Sequence, residues 1–307
     1  MARKKSAKRR RNDMRKVLIF LLIILFIIGA VYYWKTEDQP ISSPPYDSGL
    51  LRVHFIDVGQ GDSIFLQLPN GEDMLIDAGP TDAREIVVNY LQSLDVGEIE
   101  YVVATHAHED HIGGMAYVLQ HFTPGIFYTS YTEASNKTYL NMLAAVDKTG
   151  LPVTHVAAGF DILRTEDLSV RVLSPSVFDS GNENQNSVII RVVYGETSFL
   201  FTGDAEKKAE NAILESVQAD VLKVGHHGSS TSSAANFLKR VQPIYAIISV
   251  GDGNTYGHPT QKTLSALAKI QAIVYRTDFC GTIIIDSDGA GYQIYTERNA
   301  PEYAAAA

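Results

Sequence analysis

The chain has 307 residues and a formal net charge of −9. That length is sufficient for one large core, since sandwich folds often run to about 200–250 residues as a single unit. The only cysteine, Cys280, excludes an intrachain disulfide and is interpreted as a small buried residue.

Charge is distributed unevenly along the chain. Residues 1–16 hold nine Lys or Arg and one Asp, a net of +8, which leaves −17 for residues 17–307. A protein that tracks a polyanion normally presents clustered Lys or Arg. The charge therefore disfavours nucleic acid as a partner, and the pairs Lys207-Lys208 and Lys239-Arg240 are interpreted as solvated helix faces.

A membrane anchor is predicted after the basic segment. Residues 17–34 contain no charged side chain and would form a helix of about 27 Å, close to the hydrocarbon thickness of a bilayer. The positive-inside bias then places residues 1–16 in the cytoplasm and the main domain outside a cell membrane that the chain crosses once. A cleaved signal peptide, which would leave a secreted domain, is the alternative. The Pro- and Ser-rich residues 35–49 are predicted to be a linker, residues 50–297 the folded domain and residues 298–307 a tail.

The order of the predicted elements indicates an α/β fold. Apolar runs predict strands at residues 52–57, 64–68, 74–77, 100–104, 126–129, 168–173, 188–193, 198–201, 221–224, 245–249, 272–275, 282–286 and 292–295. Helical spacing of apolar residues predicts helices at residues 82–94, 112–121, 206–214, 234–241 and 260–270. Mixed strands followed by strand–helix units, repeated twice, are typical of two β-sheets packed face to face with helices outside.

The segment Thr105-His106-Ala107-His108-Glu109-Asp110-His111 places three imidazoles and two carboxylates directly after a predicted strand. In an extended loop the first two histidines point to the same side, whereas Asp110 and His111 point elsewhere. The segment can therefore supply ligands to two adjacent metal ions. A solvated loop rich in histidine is the alternative, which the strand before it and the close-packed Ile112-Gly113-Gly114 after it disfavour.

Further motifs accompany this segment: Asp57-Val58-Gly59-Gln60-Gly61-Asp62, Leu75-Ile76-Asp77-Ala78-Gly79, Phe201-Thr202-Gly203-Asp204, Lys223-Val224-Gly225-His226-His227-Gly228-Ser229 and Tyr256-Gly257-His258-Pro259. Together with the pattern H-x-H-x-D-H, they resemble the metallo-β-lactamase superfamily. Within it they resemble the hydrolase domain of the ComEC competence proteins and their free-standing relatives, which include phosphorylcholine esterases of bacterial surfaces. The resemblance implies that residues 50–297 are a hydrolase domain with the αββα sandwich and its metal loops at one edge.

The resemblance also implies a set of metal ligands. They are His106, His108 and Asp204 for one ion, and Asp110, His111, Asp204 and His227 for the other. Because successive residues on a strand face opposite ways, one of His226 and His227 is expected to bind metal and the other to face substrate. We favour His227 as the ligand. For Asp204, an ordinary turn residue is the alternative.

One position departs from the β-lactamase pattern. Those enzymes supply a third histidine to the first metal from between the H-x-H-x-D-H segment and the bridging aspartate. Here that interval contains only His121, on the helix after the segment, and His155, well before the expected place. The corresponding region reads Asn182-Glu183-Asn184-Gln185-Asn186-Ser187-Val188. A first site richer in oxygen shifts the metal preference from zinc toward manganese, or is weakly held, and disfavours β-lactam hydrolysis.

Two divalent cations, zinc or manganese, are the expected cofactors. A water between them would lose a proton near neutral pH and attack phosphorus or a carbonyl carbon. Phosphodiesters are favoured, because several donors are available to the charge that develops on equatorial oxygens. The expected catalytic residues are Asp110, His226 and His258, with Ser229 and Lys223 as further donors. For His258, an ordinary turn residue is the alternative.

Three further residues are expected to support the centre. The glycine-rich turn before Asp62 would bring Gln60 toward it, and Asp62 and Asp77 would orient the metal-binding histidines. A turn residue at the end of a strand is the alternative for both aspartates.

The sequence as a whole predicts a membrane-anchored, extracytoplasmic, metal-dependent phosphodiesterase that acts on a small molecule or a surface polymer. An extracellular nuclease of ComEC type, linked to DNA uptake, is the second hypothesis. A non-catalytic, membrane-tethered binding protein on a hydrolase fold is the third, and the presence of every expected ligand disfavours it.

Overall fold

The computed structural model describes residues 45–298. Its strands are β1 Leu51–Phe55, β2 Ile64–Gln67, β3 Asp73–Ile76, β4 Glu98–Ala104, β5 Thr123–Thr129, β6 Val153–His155, β7 Asp161–Arg164, β8 Leu168–Ser174, β9 Ile189–Tyr194, β10 Thr197–Phe201, β11 Val221–Lys223, β12 Tyr245–Ile248, β13 Ile273–Arg276, β14 Ile283–Ser287 and β15 Tyr292–Thr296. Its α-helices are α1 Arg84–Ser93, α2 Glu109–Ile112, α3 Met115–His121, α4 Lys137–Thr149, α5 Lys207–Ala212, α6 Ala235–Val241, α7 Gln261–Lys269 and α8 Thr277–Cys280. Short 3-10 turns occupy Thr81–Ala83, Glu183–Asn186 and Gly225–Gly228.

Two sheets form the centre of the domain. The first has the strand order β15-β14-β1-β2-β3-β4-β5-β6, and the second has the order β13-β12-β11-β10-β9-β8-β7. Strands β3 and β4 are parallel, and so are β10, β11 and β12. The carboxyl ends of neighbouring parallel strands lie at one edge of a sheet, which is where α/β proteins usually build their ligand sites.

The core lies between the two sheets and on their outer faces. Phe55 on β1 and Phe201 on β10 meet across the sandwich with ring centroids 6.1 Å apart. Every residue of β1 and β10 is buried, because both faces of these central strands are covered. Helices α1, α3 and α4 pack on the outer face of the first sheet, and α5, α6 and α7 pack on that of the second. The predicted αββα sandwich is confirmed.

Two parts of the element order differ from the sequence prediction. The pattern predicts no helix over α4, which begins after Asn136, whose side chain accepts a hydrogen bond from the backbone of Tyr139, and ends at the left-handed Gly150. The predicted helix at residues 112–121 is two helices, α2 and α3, with Gly113 and Gly114 between them.

The predicted single-pass membrane location is wrong by the test that the structure offers. Within residues 45–298 no helix is both long enough and apolar enough to cross a bilayer. The longest helix of that range, α4, has 13 residues, or about 20 Å, against a hydrocarbon core of about 30 Å. The predicted basic segment, anchor and most of the linker lie outside the described residues, as do residues 299–307. The extracytoplasmic and secreted locations rested on that anchor and are withdrawn with it.

Candidate metal centre

The loops that carry the predicted ligands pack closely because of two glycines. A β-carbon on Gly114 would lie 2.2 Å from the carbonyl oxygen of Ala78, and one on Gly113 would lie 2.3 Å from the backbone nitrogen of Thr81. Both distances are shorter than any side chain allows, so only glycine lets α2 and α3 approach the loop after β3 this closely. This approach fixes the position of α2, which carries Asp110 and His111.

Four side chains form one group of potential ligands. The ligand atoms of Asp110, His111, Asp204 and His227 lie within 4.8 Å of one another. Nε2 of His111 is 3.2 Å from Oδ1 of Asp204. Nε2 of His227 is 3.5 Å from the same oxygen and 3.2 Å from Oδ2 of Asp110. The structure thus brings together the residues that the sequence assigns to the second ion.

A second group contains His106, His108 and Asp204. Nε2 of His106 is 3.1 Å from Nδ1 of His108 and 4.0 Å from Oδ2 of Asp204. Asp204 therefore faces one group with Oδ1 and the other with Oδ2. A carboxylate placed in this way can bridge two cations.

The hydrogen bonding of the cluster fits a bound cation. Within the described residues, Nε2 of His111, Nε2 of His227 and Oδ1 of Asp204 are buried and have no hydrogen-bond partner. Leaving such atoms unpaired costs free energy, about 1–3 kcal/mol each. The three atoms converge on one point and each has a lone pair to offer, so a divalent ion would satisfy all of them. The donor set of imidazole nitrogens and carboxylate oxygens suits zinc or manganese.

Asp77 positions His111 from behind. Oδ2 of Asp77 is 2.7 Å from Nδ1 of His111, while Oδ1 accepts a hydrogen bond from the backbone nitrogen of Thr105 at 2.8 Å. A carboxylate on one ring nitrogen leaves the other nitrogen to bind a metal. Asp62, Asp77 and His111 also form a third group of potential ligand atoms, and this hydrogen bond accounts for it without an ion.

His227 is held in a similar way. Its Nδ1 donates to the carbonyl oxygen of Ser249 at 2.9 Å and lies 3.4 Å from Oδ1 of Asp62. Oδ2 of Asp62 is 2.8 Å from Nζ of Lys223. Lys223 is fully buried, so it neutralises Asp62 and does not present a donor to substrate. Lys223 and Asp62 therefore occupy supporting positions behind the ligands.

Without an ion, the charges of the cluster are balanced by protonated histidines. Burial opposes protonation of His227, but Asp204 and its neighbouring carboxylates raise the pKa of His227 to about 10. The same effect raises the pKa of His111 well above its ordinary value. Burial alone would raise the pKa of Asp204, but the two histidines hold it well below the usual range. Metal binding would therefore release protons from His111 and His227.

His226 and His258 lie on the more open side of the centre. The side chain of His226 is 23% exposed, and its Nε2 is 3.5 Å from Oδ2 of Asp204. Nδ1 of His226 is 3.2 Å from the hydroxyl of Thr231, and the ring centroids of His226 and His258 are 5.6 Å apart. Burial, and then the charge of His226, lowers the pKa of His258. Two imidazoles are thus available to a ligand that enters at this edge.

The strand argument used to distinguish His226 from His227 is wrong. Strand β11 ends at Lys223, and both histidines lie in the 3-10 turn Gly225–Gly228 with left-handed φ values of 50° and 51°. Alternation along a strand does not apply to this backbone. The turn buries His227 to 1% exposure beside Asp110 and leaves His226 at the rim. The assignment of His227 as the ligand stays a prediction.

Two of the expected support residues contact loops instead of the cluster. Oε1 of Gln60 accepts a hydrogen bond from the backbone nitrogen of Gly251 at 3.3 Å. The hydroxyl of Ser229 is 3.0 Å from that of Thr231, so Ser229 reaches His226 only through Thr231. Both residues support loops around the centre.

The segment that stands in place of the third histidine contributes contacts that the sequence did not single out. Nδ2 of Asn184 is 3.5 Å from Nδ1 of His226, and its Oδ1 is buried without a partner in the described part of the chain. The hydroxyl of Ser187 accepts a hydrogen bond from the backbone nitrogen of Asp204 at 3.2 Å. His121 and His155 are turned elsewhere, toward the carbonyl oxygens of Tyr117 and Ser130.

Sequence and structural comparisons define the class of this protein. The sequence model of the metallo-beta-lactamase superfamily matches residues 56–252, and the chain belongs to this superfamily. The metallo-beta-lactamase fold protein YhfI from Bacillus subtilis superposes with a TM-score of 0.52 at 12% identity, covering 78% of this chain and 99% of YhfI. That likeness shows the fold alone. Together with the His and Asp cluster, the family match supports a metal-dependent hydrolase.

The more similar relatives include competence proteins. ComE operon protein 3 of Bacillus subtilis (strain 168) is 34% identical over 251 residues, which cover 75% of this chain and 32% of that protein. Recombination protein 2 of Haemophilus influenzae is 30% identical over 241 residues, 76% of this chain and 29% of that protein. Competence protein ComA of Neisseria gonorrhoeae is 28% identical over 238 residues, 74% and 31% respectively. The chain thus spans about a third of the length of these relatives. The resemblance to competence proteins is confirmed.

Proposed function

We propose that this protein is a metal-dependent phosphodiesterase that binds two divalent cations, zinc or manganese. The observation that carries the proposal is the position of Asp204, which faces two separate ligand groups with its two oxygens. Cations bound in these groups would supply Lewis-acid stabilisation to a phosphoryl oxygen and lower the pKa of a coordinated water. His106, His108 and Asp204 would hold one cation, and Asp110, His111, Asp204 and His227 the other.

The histidines at the rim suit a phosphodiester substrate. His226 and His258 have their rings 5.6 Å apart on the more open side of the centre. Imidazole N–H groups there can donate to nonbridging phosphate oxygens, and a protonated ring can give its proton to a leaving alkoxide. Thr231 and Asn184, which both contact Nδ1 of His226, would fix the orientation of that ring.

Hydrolysis of bis(p-nitrophenyl) phosphate by the purified full chain, loaded with zinc or manganese, tests the proposal. Asp110→Ala should abolish cleavage, because it removes a ligand of one cation. The matched control is Asp147→Ala, which removes an exposed carboxylate of α4 and should leave the rate unchanged. Efficient hydrolysis of nitrocefin with no cleavage of the diester would overturn the proposal.

A nuclease is the second candidate function. The names of the relatives, which refer to competence and recombination, favour a polynucleotide as the source of the phosphodiester. Cleavage of single-stranded DNA faster than of the small diester would move the nuclease to first place. The third candidate, a non-catalytic binding protein, predicts that the purified chain binds neither zinc nor manganese at micromolar concentrations.

A further inference from the structure

A second cavity, of about 440 Å³, lies beside the metal centre between α5, α6 and α7. Four lysines line it: Lys207, Lys239, Lys262 and Lys269. We call it the lysine pocket. Its volume is within the range of small-molecule sites, about 300–1,000 Å³. The sequence prediction treated Lys207 and Lys239 as separate solvated faces, whereas the fold brings them together.

The charge of the lysine pocket is not compensated by protein carboxylates. Within residues 45–298 none of its four lysines forms an ion pair, whereas Lys208, next to Lys207 in sequence, lies 2.6 Å from a carboxylate oxygen of Asp179. Four ammonium groups around one cavity repel one another. An anion in the cavity would relieve that repulsion, and phosphate oxygens accept hydrogen bonds from ammonium groups well.

A buried hydroxyl in the pocket lacks a partner. Ser233 lines the cavity, is only 4% exposed, and its Oγ has no hydrogen-bond partner among the described residues. Its φ of 50° lies in the left-handed region, which is strained for a residue other than glycine. An unpaired hydroxyl held in a strained turn is a feature of ligand-binding sites.

The carboxylate nearest to this turn in the hydrogen-bond network does not oppose an anion in the pocket. Glu210 accepts hydrogen bonds from the backbone nitrogens of Ser233 and Ala234 and is fully buried. It is not part of the lining of the cavity. Glu210 therefore holds the turn in place from behind.

The lysine pocket and the metal centre share one loop. Ser230, Ser232 and Ser233 line the pocket, and Thr231 between them contacts Nδ1 of His226 at 3.2 Å. Nζ of Lys207 donates to the carbonyl oxygen of Ser230 at 2.9 Å. A ligand bound at the metal centre and an anion in the pocket would therefore lie on two sides of the same four-residue stretch.

We propose that the lysine pocket binds a second phosphate group of the substrate, so that the site prefers a substrate with two or more phosphate groups along one chain. This inference rests on the proposed phosphodiesterase function. It differs from the expectation of a repulsive domain, because the negative net charge is spread elsewhere while the pocket is locally cationic.

The test compares two pairs of substitutions that remove the same charge. Lys262→Gln/Lys269→Gln removes two lysines of the pocket, and Lys137→Gln/Lys148→Gln removes two exposed lysines of α4, on the other sheet. Glutamine is a good helix former, so both variants should fold. The nine cations of residues 1–16 add the same background to each variant, and only the difference between the pairs is interpreted.

Binding is measured first, on metal-stripped protein. Fluorescence anisotropy with a labelled oligothymidylate of about eight nucleotides, a length within the range of single-strand sites, reports binding without turnover. The pocket pair should weaken binding about tenfold and reduce the slope of log affinity against log salt by about 1.4, since each lost phosphate contact contributes about 0.7 for single strands. The control pair should change neither. Equal binding by the two pairs would overturn the inference.

Turnover is measured second, on metal-loaded protein. The wild type should cleave the oligothymidylate with a higher kcat/KM than thymidylyl-thymidine, which has one phosphodiester, and the pocket pair should lose that preference while cleaving bis(p-nitrophenyl) phosphate normally. A wild type without a length preference, or a pocket pair that keeps it, would overturn the inference. If no diester is cleaved but the pocket pair still loses binding, the phosphodiesterase proposal fails and the phosphate pocket stands.

Discussion

Nδ1 of His111 lies 2.7 Å from Oδ2 of Asp77, and this contact turns Nε2 of the same ring toward Asp204 at 3.2 Å. The orientation of a central ligand is thus set by a carboxylate that does not belong to the same ligand group. The two aspartates come from different sheets, Asp77 after β3 and Asp204 after β10.

We expect Asp77→Asn to lower the affinity for zinc or manganese about 10–100-fold, because the amide no longer fixes the tautomer and orientation of His111. Titration of the metal-stripped chain against a chromogenic chelator measures this. Asp73→Asn, at the other end of β3, is the matched control and should bind metal like the wild type. An affinity unchanged by Asp77→Asn would mean that His111 is oriented by packing alone.

His227→Ala should lower the metal content of the purified protein, whereas His226→Ala should keep the metal and slow turnover. The reason is that Nε2 of His227 is buried within the ligand group, while His226 is at the rim. Elemental analysis and diesterase kinetics on the same preparations separate the two. Loss of metal from the His226 variant with retention in the His227 variant would reverse the assignment.

Lys223→Met should lower the free energy of unfolding by about 3–5 kcal/mol, because it leaves the Asp62 carboxylate buried without its cation. Lys223 and Asp62 are both fully buried and their charged atoms are 2.8 Å apart. Urea denaturation of the metal-stripped chain measures the change, with Lys148→Met on the exposed side of α4 as the control. A loss of less than about 1 kcal/mol would show that the buried pair contributes no more than a surface pair.

Burial raises the pKa of Glu210 from its ordinary 4.5 to about 7. The folded state therefore binds the proton more tightly than the unfolded chain, and the resulting stability is fully present below pH 4.5 and is lost as the pH rises through 7. The loss from this group is about 3 kcal/mol. The difference in unfolding free energy between the wild type and Glu210→Gln should change by that amount between pH 5 and pH 8. A difference that does not vary with pH would contradict the raised pKa.

The motifs predicted the fold and the composition of the ligand groups because each motif follows a strand and reports its own local geometry. The H-x-H-x-D-H segment, Asp204 and His227 come together as the family resemblance implied. Strand periodicity failed at His226 and His227, because two consecutive left-handed residues are set by the packing of the turn. It also failed at Lys223, where an apolar context surrounds a lysine whose partner, Asp62, is more than 150 residues away in sequence. The helix α4 was missed because its amphipathic pattern is weak, and the lysine pocket was missed because its members are scattered over three helices.

The two ligand groups are built from loops of both sheets. Each sheet alone offers an incomplete set: Asp110 and His111 come from the loop after β4, and Asp204 and His227 from the loops after β10 and β11. A cation held between them acts as a clasp across the open edge of the sandwich, and it binds only when the two halves are docked. Metal occupancy therefore reports on the assembly of the whole domain, and in the metal-stripped protein the sheets should separate first at this edge.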